Sequence, residues 1–151
     1  RLADSVNNPK LHTTQVLMEW TLEKSAHRNW RDYYPGKDVI DVQGWDTYGY
    51  DRDSKTYLTQ DELQKIRPSY EITKAEGNQF AIAEIGGELR AGRPEWLRAV
   101  GAWAKEHQAA FVTYFDSTKD GNFILDDAPS QKAWGDVIRT HGAPSTGAYS
   151  R

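Results

Sequence analysis

Apolar residues gather into four runs that scarcely alternate with polar ones: TTQVLMEWTL (13–22), DVIDVQGWDTY (38–48), QFAIAEIG (79–86) and AAFVTYFDS (109–117). The first two follow the turn signals NNPK and YYPGK. Such runs predict strands buried on both faces, the habit of parallel sheets. Between them the spacing becomes helical. In RPEWLRAVGAWAKEHQ (93–108), Trp96, Leu97, Val100, Trp103 and Ala104 fall on one face, and Pro94 suits the first helical position. SQKAWGDVIRTHG (130–142) predicts a helix capped by Ser130 and closed by Gly142. Thr59 and Glu62 stand at capping-box spacing and predict a further helix, interrupted at Pro68.

The strand starts, near 14, 39, 80 and 110, keep about the 30-residue spacing of βα units. The fold class is therefore α/β. Two architectures fit: a small open sheet, or half of a (β/α)8 barrel, which takes about 250 residues when whole. An open nucleotide-binding sheet carries a glycine-rich phosphate turn, and neither GxGxxG nor GxxxxGK[ST] occurs. RLADSV at the start reads like the end of a helix already under way. Residues 1–142 are expected to form the half barrel and 143–151 a flexible tail.

Composition narrows the chemistry. The chain is 38% hydrophobic and 27% charged, with a net charge of −3 and no large basic block, which argues against nucleic acid as a partner. No apolar run reaches the roughly 20 residues of a membrane span. There is no cysteine, so no disulfide or thiolate chemistry. His12, His27, His107 and His141 are scattered, and DSTKDGNFILDD (116–127) lacks the spacing of a calcium loop, so neither metal nor cofactor is expected. No serine sits in a nucleophile elbow. The six Trp and eight Tyr fit ordinary core packing, or flat faces for sugar rings.

In a barrel the functional residues lie where the strands run out. Those positions hold Glu19 and Trp20, Asp46 and Tyr48, Glu84, and Tyr114 with Asp116. Carboxylates and rings together suit sugars. Glycoside hydrolysis takes two carboxyl groups, about 5–5.5 Å apart in retaining enzymes. Glu84 is the candidate nucleophile; the competing reading is a buried acid paired with Arg90. Asp46 and Tyr48 share one strand face, from which Tyr48 can donate to the Glu84 carboxylate, keeping it ionised and oriented. Trp45 is expected to face the helices. Tyr114 is expected to floor a sugar subsite, with Phe115 packing outward. Of Glu19 and Trp20, only one can face the barrel interior, and Trp20 is taken as the inward one.

These same segments resemble a known group. YYPGKDVIDVQGWDTYGY resembles the sixth-strand region of clan A glycoside hydrolases, especially the family 26 β-mannanase and β-glucanase group. FAIAEIGG resembles the seventh strand, whose Glu is the nucleophile, and AFVTYFDS is similar to the eighth. VLMEWTL stands where the fifth belongs. The resemblance implies strands five to eight of a (β/α)8 barrel over roughly residues 11 to 140. It implies Glu84 as nucleophile, Tyr48 as its hydrogen-bond donor, and Tyr114 and Trp20 as lining residues. Gly49 stands where an Asn is common in the family. The family's general acid/base is a Glu at the end of the fourth strand, for which no counterpart precedes Leu11.

The implied function is a retaining endo-glycosidase acting on a β-linked oligo- or polysaccharide such as mannan or β-glucan, with secretion following from a polymeric substrate. The missing barrel half, or self-association, is the expected protein partner. The alternative is a non-catalytic carbohydrate-binding or structural half-barrel module. A small α/β nucleotide binder is the third and weakest reading.

Overall fold

The structure is a computed structural model that describes residues 14–18, 29–48, 50–51, 56–57, 66–119 and 121–141. Its main sheet holds four parallel strands: β1 (Thr14–Met18), β2 (Val42–Tyr48), β5 (Gln79–Gly86) and β6 (Val112–Tyr114), in the order β1-β2-β5-β6. A short antiparallel pair, β3 (Tyr50–Asp51) and β4 (Thr56–Tyr57), follows β2. The helices are α1 (Ile66–Glu76), α2 (Arg93–Glu106) and α3 (Ala128–His141). Spatial order follows chain order, so this sheet has no point where the order reverses, the place where open α/β sheets hold nucleotides.

The three helices of the described residues cover one face of the sheet. Trp45 of β2 donates its indole N–H to Thr73 Oγ1 of α1 at 2.9 Å. Phe80 of β5 meets Tyr70 of α1 and Trp103 of α2 edge-on, at 5.5 and 5.8 Å between ring centres. Tyr114 of β6 lies 5.6 Å from Trp134 of α3. Leu17, Ile82, Ile85, Leu97 and Val100 fill the space between these rings. Trp30, Trp45, Trp96 and Trp103 are all buried in this core, so packing alone accounts for them. Trp45 faces the helices, as its place in the strand pattern requires.

Several boundaries differ from the sequence reading. β2 begins at Val42 rather than 38, because residues 37–39 close a turn in which the Val39 amide bonds the Gly36 carbonyl at 3.1 Å. β6 is shorter than the 109–117 run. Ala109 N–H is drawn back to the Ala104 carbonyl at the end of α2, 2.9 Å away. α1 is not interrupted at Pro68: the described helix runs from Ile66 through it to Glu76. Residues 59–65, with the expected capping box, lie outside the described residues. The cap of α3 is Asp127, not Ser130. Asp127 Oδ1 accepts the Ser130 amide at 2.9 Å, and Ser130 lies inside the helix. Asp127 followed closely by Pro129 was the available signal. Gly142 and the expected tail, 143–151, lie outside the described residues.

One irregularity controls the site. Trp45 pairs with Ile82, but Asp46 pairs with Glu84, so β5 carries one extra residue, Ala83, against β2. β6 meets the same extra residue, pairing Val112 with Ile82 and Tyr114 with Ile85. This is a β-bulge, which bends a strand and re-aims a side chain. It also brings Ala83 close to β2: a Cβ on Gly44 would lie 2.8 Å from the Ala83 Cβ. We therefore expect Gly44→Ala to destabilise the chain by about 1–3 kcal/mol through overpacking. Urea unfolding measures it, and an unchanged midpoint would show that the bulge tolerates a methyl group.

Candidate active site

Strict alternation would put Glu84 on the side of Phe80 and Ile82, beneath the helices. The bulge turns it to the opposite face, where it shares a side with Gly44, Asp46 and Tyr48. The Tyr48 hydroxyl donates to Glu84 Oε1 across the two strands. Tyr48 and Glu84 thus meet at the C-terminal end of the sheet. Asp46 is only 5% exposed and stands opposite Glu84 in register. Arg90 does not pair with Glu84; it bonds Glu88 Oε2 through Nε at 3.1 Å and Nη2 at 2.7 Å.

The vacant side of Gly86 is filled by the ring of Tyr48, whose Cε1 would be 2.7 Å from an added Cβ, and by Phe123, with Cδ1 at 3.3 Å. A glycine here lets the Tyr48 ring cross the strand end and reach Glu84. Phe123 packs on Tyr48 at 5.6 Å and on Phe115 at 5.8 Å between ring centres.

Tyr114 requires a correction. It does not floor the face that carries Glu84. Its ring packs on Trp134 of α3, and its hydroxyl donates to the carbonyls of Phe123 at 2.8 Å and Gly87 at 3.2 Å. Burial raises its phenol pKa, against the lowering influence of nearby Arg93. Phe115, expected to pack outward, stands on the Glu84 side through Phe123. The signal was present: Val112, a core-packed residue, shares parity with Tyr114. Trp20 and Glu19 lie outside the described residues.

The sequence reading missed Arg93, the first residue of α2, whose side chain is 0% exposed. Its Nε donates to Ser130 Oγ at 2.9 Å. Its Nη1 donates to the carbonyls of Gly87 at 3.0 Å and Ile124 at 3.2 Å, and Nη2 pairs with Asp127. One guanidinium therefore ties the loop after β5 to the loop after β6 and to the start of α3.

Burial works against the Asp127 carboxylate, but hydrogen bonds from the Ser130 amide and from Arg93 outweigh it and hold its pKa below the ordinary value. A carboxylate held low in the folded state stabilises the fold above its unfolded pKa, and that contribution is lost as pH falls through the folded value. Asp127→Asn is expected to cost about 1–2 kcal/mol at pH 7. The gap to the parent should close as the pH drops below about 4. Urea titrations at neutral and acid pH check this; an equal gap at both would show that ionisation is not the cause.

No group of three or more His, Cys, Asp or Glu among the described residues is placed to hold a metal ion. No helix of the described residues is long and apolar enough to cross a membrane. A cavity of about 870 Å³ opens between α2 and α3, lined by Phe111, Val112, Trp134 and Ile138. It lies at the start of β6, away from Glu84. The geometric case for the site rests on the Glu84 cluster, which faces away from the helices.

No protein-family model matches the sequence, and no curated protein sequence matches it. Solved structures do share its fold. A GH26 β-mannanase from Bacteroides ovatus matches with a TM-score of 0.58 at 18% identity, over 87% of this chain and 38% of the mannanase. A modular endo-β-1,4-mannanase from Cellulomonas fimi, of glycoside hydrolase family 26, matches at 0.54 and 20% identity, over 91% and 33%. The catalytic domain of a Bacillus sp. JAMB-750 GH26 endo-β-1,4-mannanase matches at 0.53 and 16%, over 87% and 38%. The chain thus has the fold of part of these GH26 structures, and its matched region spans about a third of their length.

Proposed function

We propose that this chain forms strands five to eight of a (β/α)8 glycoside hydrolase barrel and acts in the retaining hydrolysis of a β-linked polysaccharide such as mannan or β-glucan, with Glu84 as nucleophile. The observation that carries the reading is the bulge at Ala83, which turns Glu84 onto the face opposite the described helices, where Tyr48 holds it. In this reading the Glu84 carboxylate attacks the anomeric carbon while a second carboxyl group protonates the departing oxygen. Water then breaks the glycosyl–Glu84 ester, the second group acting as base. Tyr48 fixes the direction of attack by holding one carboxylate oxygen. Asp46 lines the same face. We assign the proton donor to the partner half of the barrel, at the fourth-strand end that the family resemblance implies. The partner is then the other half of the barrel, joining the outer edges of β1 and β6, which pair with no further strand among the described residues, since such edges invite strand addition. A polymeric substrate places the protein outside the cell.

The test is mechanism-based trapping. A 2,4-dinitrophenyl 2-deoxy-2-fluoro-β-mannoside carries a leaving group that needs no protonation. We expect one fluoromannosyl unit to attach to the protein, on the peptide containing Glu84. Labelling confined to another residue would sink the reading. By itself the chain should turn over an activated aryl glycoside slowly and leave mannan intact, because a sugar alkoxide cannot depart without a proton.

A further inference from the structure

The geometry points to Arg93 as a positioning residue for Glu84, acting through Phe123 and Tyr48. The inference rests on the reading of Glu84 as the reacting carboxylate. Arg93 lies on the far side of the sheet from Glu84 and touches none of the groups proposed to react. What it holds is backbone. Its Nη1 bonds the carbonyl of Gly87, three residues beyond Glu84, and the carbonyl of Ile124, next to Phe123. Tyr114 makes the parallel connection, from one hydroxyl to Gly87 and Phe123. The loop after β6 is braced further where Asp116 Oδ1 accepts the Leu125 amide at 2.9 Å and the Ser117 carbonyl accepts the Phe123 amide at 2.9 Å. These bonds fix where the Phe123 ring stands, and that ring lies against Tyr48 and over Gly86. Tyr48 in turn donates to Glu84. The sequence of contacts is continuous: guanidinium, loop carbonyls, Phe123, Tyr48, Glu84. A lysine at 93 retains the charge beside Asp127 but cannot bond several acceptors in a planar fork.

The test is Arg93→Lys, with Asp127→Asn as a second variant that loosens the same guanidinium. In the parent chain, NMR cross-relaxation between the Phe123 and Tyr48 rings should be strong. We expect it to fall about threefold or more in both variants, as in other loosened local contacts, while that between Phe80 and Trp103 is unchanged. On an activated aryl β-mannoside, Arg93→Lys should lower kcat about tenfold with KM unchanged. In a Tyr48→Phe background the same change should cost less than about twofold, since a residue acting through Tyr48 has nothing left to position. An unaltered Phe123–Tyr48 contact in both variants overturns the inference, and so does an equal loss in both backgrounds. If neither parent nor variant turns over any β-glycoside, the glycosidase reading fails, and the ring contact alone still decides whether Arg93 positions Tyr48.

Discussion

Glu84→Gln should abolish turnover of an activated aryl β-glycoside, lowering kcat by about 10⁴-fold or more, the scale seen when a nucleophile is removed. An amide has the size of a carboxylate, and its oxygen can still accept the Tyr48 proton, so the fold should lose less than about 1 kcal/mol. That separation of activity from stability is the point of the substitution. A buried acid retained only to complete a hydrogen bond would show the reverse, with stability lost and turnover little changed. It also separates an enzyme from a sugar-binding module: the module needs its rings and surface hydroxyl acceptors, but not this charge. Turnover within about tenfold of the parent would remove Glu84 from the nucleophile role.

The largest effect on stability is expected at Arg93. Arg93→Met keeps an apolar stem of similar length and removes every donor. Asp127 then loses its ion pair, and Ser130 Oγ and the carbonyls of Gly87 and Ile124 lose their guanidinium donor. Breaking one side of a buried charged pair typically costs about 3–5 kcal/mol. That is a large share of the roughly 5–15 kcal/mol that holds an ordinary domain folded. Thermal unfolding should shift down by about 10 °C. A loss under about 1 kcal/mol would mean that water replaces the guanidinium at little cost, and that the two loops are not tied through this residue.

The third apolar run and the helix after it show how far local pattern reaches. QFAIAEIG was read as a strand over 79–86, and β5 has those bounds. The helical face of Trp96, Leu97, Val100, Trp103 and Ala104 is buried throughout. Both follow from periodicity, which the chain carries residue by residue. Pairing Tyr48 with Glu84 was also legible, because neighbouring strand ends in a parallel βα array lie side by side and bring a phenol within reach of a carboxylate. Arg93 was not legible. Nothing in RPEW distinguishes an arginine that will be buried from one that will reach solvent; its partners at 124, 127 and 130 are more than thirty residues away. Tyr114 was misread because strand-end position was weighed above parity.

By itself the sequence determined a parallel α/β array, its helix-facing core, and the placing of carboxylates and rings at strand ends. These depend on hydrophobic period and on chain order, both local properties. Only the tertiary structure decided which face Glu84 serves. Counted along the strand it belongs beneath the helices. It reaches the open face because β5 holds one residue more than each neighbour spans, and that surplus exists only once β2 and β6 are paired against it. The glycines at 44 and 86 mark where this surplus is accommodated, one admitting the Ala83 methyl and the other the Tyr48 ring.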